Sequence, residues 1–141
     1  MTATESLTAP IRSMQAVPPS GSIGFGAGAQ FCAQKISSTL VRVGVAGEID
    51  IRNAVALSDF ALGQLRSSSR VILDLSEVEF FGTAGLRVFE ELDGESGGAG
   101  ARWALVCGRP VQRLLRIIDP DQRVPAYTSL ESAMRALHPA A

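Results

Sequence analysis

The chain has 141 residues, a hydrophobic fraction of 46% and a formal net charge of −1. This length suits one domain with a substantial core, and the balanced charge argues against a nucleic-acid-binding footprint or a polybasic membrane surface. No apolar run approaches the roughly 18 residues that a membrane helix needs. The N-terminus lacks a charged region followed by an apolar core, so we expect a soluble, cytoplasmic protein.

Residues 1–28 are predicted to form a flexible N-terminal extension. They contain Pro10, Pro18 and Pro19 and a glycine-rich run at 21–28, a composition without apolar periodicity that favours a linker. No strand pattern precedes the glycines and no Lys-Ser/Thr pair follows them, so a phosphate-binding loop is not expected.

From residue 29 onward, strand patterns alternate with helix patterns. The first two strands form a predicted hairpin, at residues 29–34 and 40–46. Later strands are predicted at residues 71–75, 102–107 and 124–127. Apolar stripes at helical spacing predict helices at about residues 52–66, 84–93, 110–118 and 130–137.

This alternation predicts an α/β fold, because strands that alternate with helices are joined by right-handed crossovers in a mainly parallel sheet. The opening hairpin adds an antiparallel strand. We therefore expect a mixed five-stranded sheet with about four helices.

Two predicted loops reach the edge of the sheet at which the strands end, where functional groups of such sheets collect. They are residues 47–50, after the second strand, and residues 76–85, after the third. Gly82 and Gly85 flank Thr83 at the predicted start of the second helix. The Thr83 hydroxyl either caps this helix or accepts a phosphate that faces the free N–H groups and the positive end of the helix dipole.

The acidic and amide residues of the first loop leave two interpretations open. Asp50 either caps the following helix or, together with Glu48, contacts a partner. Asn53 either faces that partner or lies on a solvated helix face. Two carboxylates can perform acid–base chemistry, but the single histidine, His138, lies in the C-terminal tail. We therefore predict no enzymatic activity, no metal and no cofactor.

The chain has two cysteines, Cys32 and Cys107, too few for a disulfide framework or a four-ligand zinc site. Both lie in apolar strand patterns, which favours buried, inert thiols. The alternative is a disulfide between neighbouring strands, which depends on a Cα separation that the sequence does not supply.

Several motifs, taken in order, resemble the STAS domain of anti-sigma factor antagonists. They are Gly-Glu-Ile-Asp at residues 47–50, Leu-Asp-Leu-Ser-Glu-Val-Glu-Phe at 73–80, and Thr-Ala-Gly-Leu at 83–86. The segments at 105–115 and 129–134 also fit this family.

The resemblance covers about residues 30–137 and implies a STAS-like domain over residues 29–138. Members of the family bind an anti-sigma factor, a serine-kinase-like ATPase, and so release a sigma factor for transcription. That kinase phosphorylates a Ser or Thr at the start of the second helix, which breaks the complex, and a phosphatase reverses the modification. Thr83 matches the acceptor, whereas Gly82 stands where the family has aspartate.

The resemblance implies a partner-binding surface but leaves its regulation open. The residues expected on this surface are Glu48, Asp50, Asn53, Gly82, Thr83, Ala84, Gly85, Leu86 and Phe89. Besides the phosphorylation switch, we consider a constitutive antagonist and one that responds to oxidation of Cys32 and Cys107. A nucleotide- or small-ligand-sensing module of the same fold is a further alternative.

Overall fold

The computed structural model describes residues 22–97 and 102–137. In these ranges the strands are β1 (Ser22–Gly26), β2 (Ala29–Lys35), β3 (Leu40–Ile49), β4 (Arg70–Phe81), β5 (Trp103–Cys107) and β6 (Ala126–Tyr127). The helices are α1 (Ala54–Ser68), α2 (Leu86–Ser96), α3 (Arg109–Ile118) and α4 (Leu130–Ala136), and a 3₁₀ turn (Thr83–Gly85) leads into α2. None of these four described helices is long and apolar enough to cross a membrane.

The strands form one mixed sheet in the order β1-β2-β3-β4-β5-β6. The pairs β1–β2 and β2–β3 are antiparallel, and the pairs from β3 to β6 are parallel. The predicted α/β fold, with its opening hairpin and four helices, is therefore confirmed. The described part of the chain has six strands rather than the expected five.

The additional strand, β1, lies within residues 1–28, which the sequence predicts to be a flexible extension; residues 1–21 lie outside the described ranges. The glycines that suggested a linker allow close packing instead. A Cβ atom at Gly24 would lie 2.7 Å from Cδ1 of Phe60, so the bare backbone of β1 lets this α1 side chain approach the sheet. Glycine at position 24 therefore reflects packing of the strand against α1.

Strand β4 is longer than its apolar run predicts. The sequence places the strand at residues 71–75, followed by a turn, whereas β4 continues to Phe81. Val78 and Phe81 are buried in the core, and they extend the pairing of β4 with β3 beyond a register shift between Gly44 and Ala46. The bulge interrupts the alternation of side chains, which explains why the sequence pattern ends early.

Helices pack on both faces of the sheet. The larger core cluster joins alternate β4 residues, such as Val71 and Leu73, to side chains of α1, α2 and α3. The smaller cluster joins Ile72, on the opposite face of β4, to Ala133 of α4 and its neighbours. Successive residues of a strand point to opposite faces, so β4 contributes to both clusters.

The two cysteines lie on different strands and point to opposite faces of the sheet. Cys107 belongs to the larger core cluster, as do Phe31 and Ala33, which flank Cys32. Strands β2 and β5 are three strand spacings apart, about 14 Å at the usual spacing of neighbouring strands. A disulfide needs Cα atoms within about 7 Å, so the proposed pairing of Cys32 with Cys107 is wrong for this fold. Both thiols are free.

We predict unequal alkylation of the two thiols in the native protein. Burial raises the pKa of Cys107 to about 11 and also raises that of the half-buried Cys32, where the Arg42 guanidinium partly opposes the effect. Because the thiolate is the nucleophile, Cys107 should react with iodoacetamide more slowly than Cys32 at pH 8. Peptide mass spectrometry measures both rates, with urea-unfolded protein as the control in which the rates converge. Faster labelling of Cys107 would contradict this assignment.

Candidate functional site

The two loops identified from the sequence meet at one edge of the sheet. The parallel pairing of β3 with β4 continues through Glu48–Phe80 to Ile49–Phe81, the last residues of both strands. Beyond this pair, the Gly82 N–H donates to the carbonyl oxygen of Ile49 at 2.8 Å. The loop at residues 50–53, before α1, and the turn at residues 82–85, before α2, are therefore adjacent.

Asn53 holds the first loop from within the protein. Its Nδ2 donates to the carbonyl oxygens of Ala27 at 2.6 Å and Glu48 at 2.8 Å, and its Oδ1 accepts from the Asp50 N–H at 3.0 Å. The side chain is fully buried. The expected surface position of Asn53, facing a partner or solvent, is therefore incorrect, because its amide satisfies backbone groups in the β1–β2 turn, in β3 and in the loop itself.

The half-buried Asp50 pairs with the exposed Arg52 in this loop. The Arg52 backbone N–H donates to Oδ1 of Asp50 at 2.9 Å, and its guanidinium binds the same carboxylate at 2.9 Å. The guanidinium hydrogen bonds, followed by the backbone hydrogen bond, lower the pKa of Asp50. Asp50 therefore shapes the loop ahead of α1 instead of capping the helix, whose N-cap position is Asn53.

Two residues expected at the partner surface lie in the core. Gly85 is buried, and a Cβ atom there would lie 2.5 Å from Cζ of Phe81. The Phe89 ring stacks on Phe81 with centroids 5.5 Å apart and lies 5.8 Å from the ring of Trp103. The predictions that Gly85 and Phe89 form the surface are thus corrected: the missing Cβ admits the Phe81 ring, and Phe89 extends this aromatic cluster.

Thr83 is exposed at the start of the 3₁₀ turn. No described residue bonds its hydroxyl, and neither the turn nor α2 has a side-chain cap hydrogen bond, so the helix-cap interpretation does not hold here. The first turn of α2 contains no acidic residue, so no side-chain charge there opposes an anion at the positive end of the helix dipole. Ala84 and Leu86 are half-buried beside it.

The backbone of Gly82 does not require glycine. Its φ of −84° and ψ of 170° lie in the extended region that any residue adopts. An added Cβ would lie 3.2 Å from Cε2 of Phe80, an exposed ring that can move, and 3.6 Å from the carbonyl oxygen of Ile49. An aspartate, as expected by the resemblance, therefore fits this position sterically.

Sequence reasoning missed three apolar residues exposed at this edge. Ile51, Val55 and Phe80 are 84%, 51% and 52% exposed, respectively. Phe80 had a detectable signal: adjacent residues of a strand point to opposite faces, so one of the two consecutive phenylalanines must face away from the core. We call the following residues, which lie on the two adjacent loops or within two residues of them, the candidate surface: Glu48, Ile51, Val55, Phe80 and Thr83.

Comparison with known proteins places most of the chain in one family. Residues 32–133 match the model of the STAS domain. Osmosensory protein A of Mycobacterium tuberculosis (strain ATCC 25618 / H37Rv) is 31% identical over 97 residues, which is 68% of this chain. The match spans 61% of the length of that relative.

Solved structures share the fold. The crystal structure of an anti-sigma factor antagonist from Mycobacterium paratuberculosis has a TM-score of 0.63 and 27% identity, covering 77% of this chain and 92% of that one. The Bacillus cell fate determinant SpoIIAA in its phosphorylated form has a TM-score of 0.56 and 15% identity, covering 74% of this chain and 97% of that one. The likeness to SpoIIAA is one of fold alone.

Replacing Asn53 tests its structural role. We predict that Asn53→Ala lowers the free energy of unfolding by about 1–3 kcal/mol, because the carbonyls of Ala27 and Glu48 and the N–H of Asp50 lose their side-chain partner. Urea denaturation monitored by circular dichroism measures the change. Asp59→Ala, at an exposed position of α1, should change stability by less than about 0.5 kcal/mol. Equal, small effects of both substitutions would show that the amide does not hold the loop.

Proposed function

The chain belongs to the STAS domain family, and we propose that it is an anti-sigma factor antagonist that binds a serine-kinase-type anti-sigma factor and so frees a sigma factor for transcription. It acts by binding, without catalysis, in the cytoplasm, where sigma factors operate. The family match and the likeness to the mycobacterial antagonist support this role.

The observation that carries the proposal is the composition of the candidate surface. Exposed apolar side chains at one edge of a protein mark interaction sites, and here Ile51, Val55 and Phe80 are exposed on or next to the two adjacent loops, one of which carries Thr83. The charged side chains of Glu48 and Arg52, 3.9 Å apart, lie beside them. Apolar anchors bordered by charges are typical of protein interfaces.

The surface is also held in shape before a partner arrives. The buried Asn53 side chain fixes the loop before α1, and the Gly82–Ile49 hydrogen bond joins it to the turn before α2. Preorganisation lowers the entropic cost of association. These contacts therefore favour a docking role for the edge.

We further propose that phosphorylation of Thr83 ends the interaction. The kinase would transfer the γ-phosphoryl group of ATP to the Thr83 hydroxyl oxygen, which is exposed and without a partner among the described residues; the bond from the γ-phosphorus to the bridging oxygen breaks, and ADP and the hydroxyl proton leave. The product carries about −1.5 to −2 charges at pH 7. The N-terminus of α2 accommodates these charges, whereas acidic partner groups would repel the phosphate and apolar partner groups would desolvate it. A phosphatase restores the unmodified form.

A pair of isoleucine variants tests the interface. We predict that Ile51→Asp weakens binding to the cognate serine-kinase-type anti-sigma factor at least about tenfold, as expected for an apolar side chain that becomes buried in the complex. Ile117→Asp is the matched control, since Ile117 is 77% exposed on α3, outside the candidate surface. Isothermal titration calorimetry measures both affinities. No binding of the unaltered protein to any such anti-sigma factor rejects the function, and equal losses in both variants reject the interface.

The proposed switch has its own matched pair. Thr83→Glu should abolish binding, whereas Thr128→Glu, at another exposed threonine just before a helix, should leave affinity within about twofold. Incubation with kinase and ATP, followed by peptide mass spectrometry, should locate the phosphate on Thr83, and Gly82→Asp should increase the rate of modification. Phosphate at another residue, or none, would reject Thr83 as acceptor while leaving the binding proposal intact.

A further inference from the structure

A cavity of about 520 Å³ lies between α3 and the segment that leads into β6, and its wall shares no residue with the candidate surface. Cys107 and Tyr127, the last residues of β5 and β6, form part of its wall. The cavity thus opens at the carboxyl ends of two parallel strands, where ligands of open α/β sheets bind. Its volume lies in the range of small-molecule sites.

The wall opposite α3 is fixed by backbone hydrogen bonds. The Asp119 carboxylate accepts from the N–H groups of Arg123 at 3.0 Å and Val124 at 2.9 Å. The carbonyl oxygen of Pro125 accepts from the Leu105 N–H at 2.9 Å. These hydrogen bonds hold the loop in one conformation and attach it to the sheet. Such a wall is expected of a cavity that exists before a ligand binds.

The cavity wall carries one positive and one negative side chain, and only the positive one lacks a protein partner among the described residues. Arg116 and Asp119 are its charged residues, and the Asp119 carboxylate already accepts two backbone hydrogen bonds. Among residues 22–97 and 102–137, nothing forms an ion pair or hydrogen bond with the Arg116 guanidinium. Guanidinium groups bind carboxylates through two parallel hydrogen bonds, so the exposed Arg116 guanidinium is free to bind the carboxylate of a ligand.

The apolar part of the wall favours a flat ligand. Pro120, Pro125 and Tyr127 contribute rings, and Leu115 and Val124 contribute aliphatic surface. Aromatic rings pack in offset-stacked or edge-on arrangements against a tyrosine ring. We propose that this cavity binds a small aromatic carboxylate, with Arg116 binding the carboxylate group and the Tyr127 side of the cavity holding the ring. This site is independent of the proposed anti-sigma interaction.

The test uses 1-naphthylacetate, with acetate and 1-naphthylacetamide as probes that lack the ring and the charge. Two-dimensional ¹H–¹⁵N NMR titration of the full chain should show saturable binding of 1-naphthylacetate in the micromolar to low millimolar range, with shifts concentrated in residues 112–128. Acetate and the amide should bind at least about tenfold more weakly, because each lacks one of the two recognised groups.

Variants of two arginines in α3 distinguish binding at a specific site from a general attraction of anions to the helix. Arg116→Gln should weaken 1-naphthylacetate binding at least about tenfold. Arg113→Gln should leave it within about twofold, since Arg113 is exposed on α3 and lies outside the cavity wall. Circular dichroism should show both variants folded. No saturable binding, equal binding of the amide, equal losses in both variants, or shifts outside residues 112–128 would each overturn the proposal.

Discussion

The parallel pairing of β3 with β4 extends to the last residue of each strand, and the candidate surface depends on it. Had the strands separated after the bulge at Gly44–Ala46, the loops before α1 and α2 would diverge. Val78 and Phe81 prevent this, because their burial keeps the second half of β4 on the sheet. The Gly82–Ile49 hydrogen bond then joins the loops directly. Burial of Val78 and Phe81 in the core thus determines that the loops before α1 and α2 lie next to each other.

The residues at this edge of the sheet have two different roles. Asn53, Gly85 and Phe89 are buried and support the surface from beneath, while Ile51 and Thr83 lie exposed above them. Substitution of a supporting residue would alter binding by disturbing the fold, whereas substitution of an exposed one would alter contacts. A loss of binding is therefore informative only when stability is measured for the same variant.

The sequence predicted the alternation of strands and helices, the opening hairpin and the edge at which the loops meet. It did not predict β1, because the packing of Phe60 against Gly24 is a tertiary contact between distant parts of the chain. Nor did it separate exposed from buried residues in the loops: the three backbone groups that Asn53 satisfies are brought together only by the fold. Local patterns reveal periodic elements, but loop residues carry no period from which burial can be inferred.

Hydrogen–deuterium exchange on the complex with the anti-sigma factor tests the central claim most directly. The account predicts that binding slows exchange in residues 48–55 and 80–87, the two segments joined by the Gly82–Ile49 hydrogen bond, and leaves α3 and residues 119–128 unchanged. Protection confined to α3 or to residues 119–128, with none in the two joined segments, would contradict it.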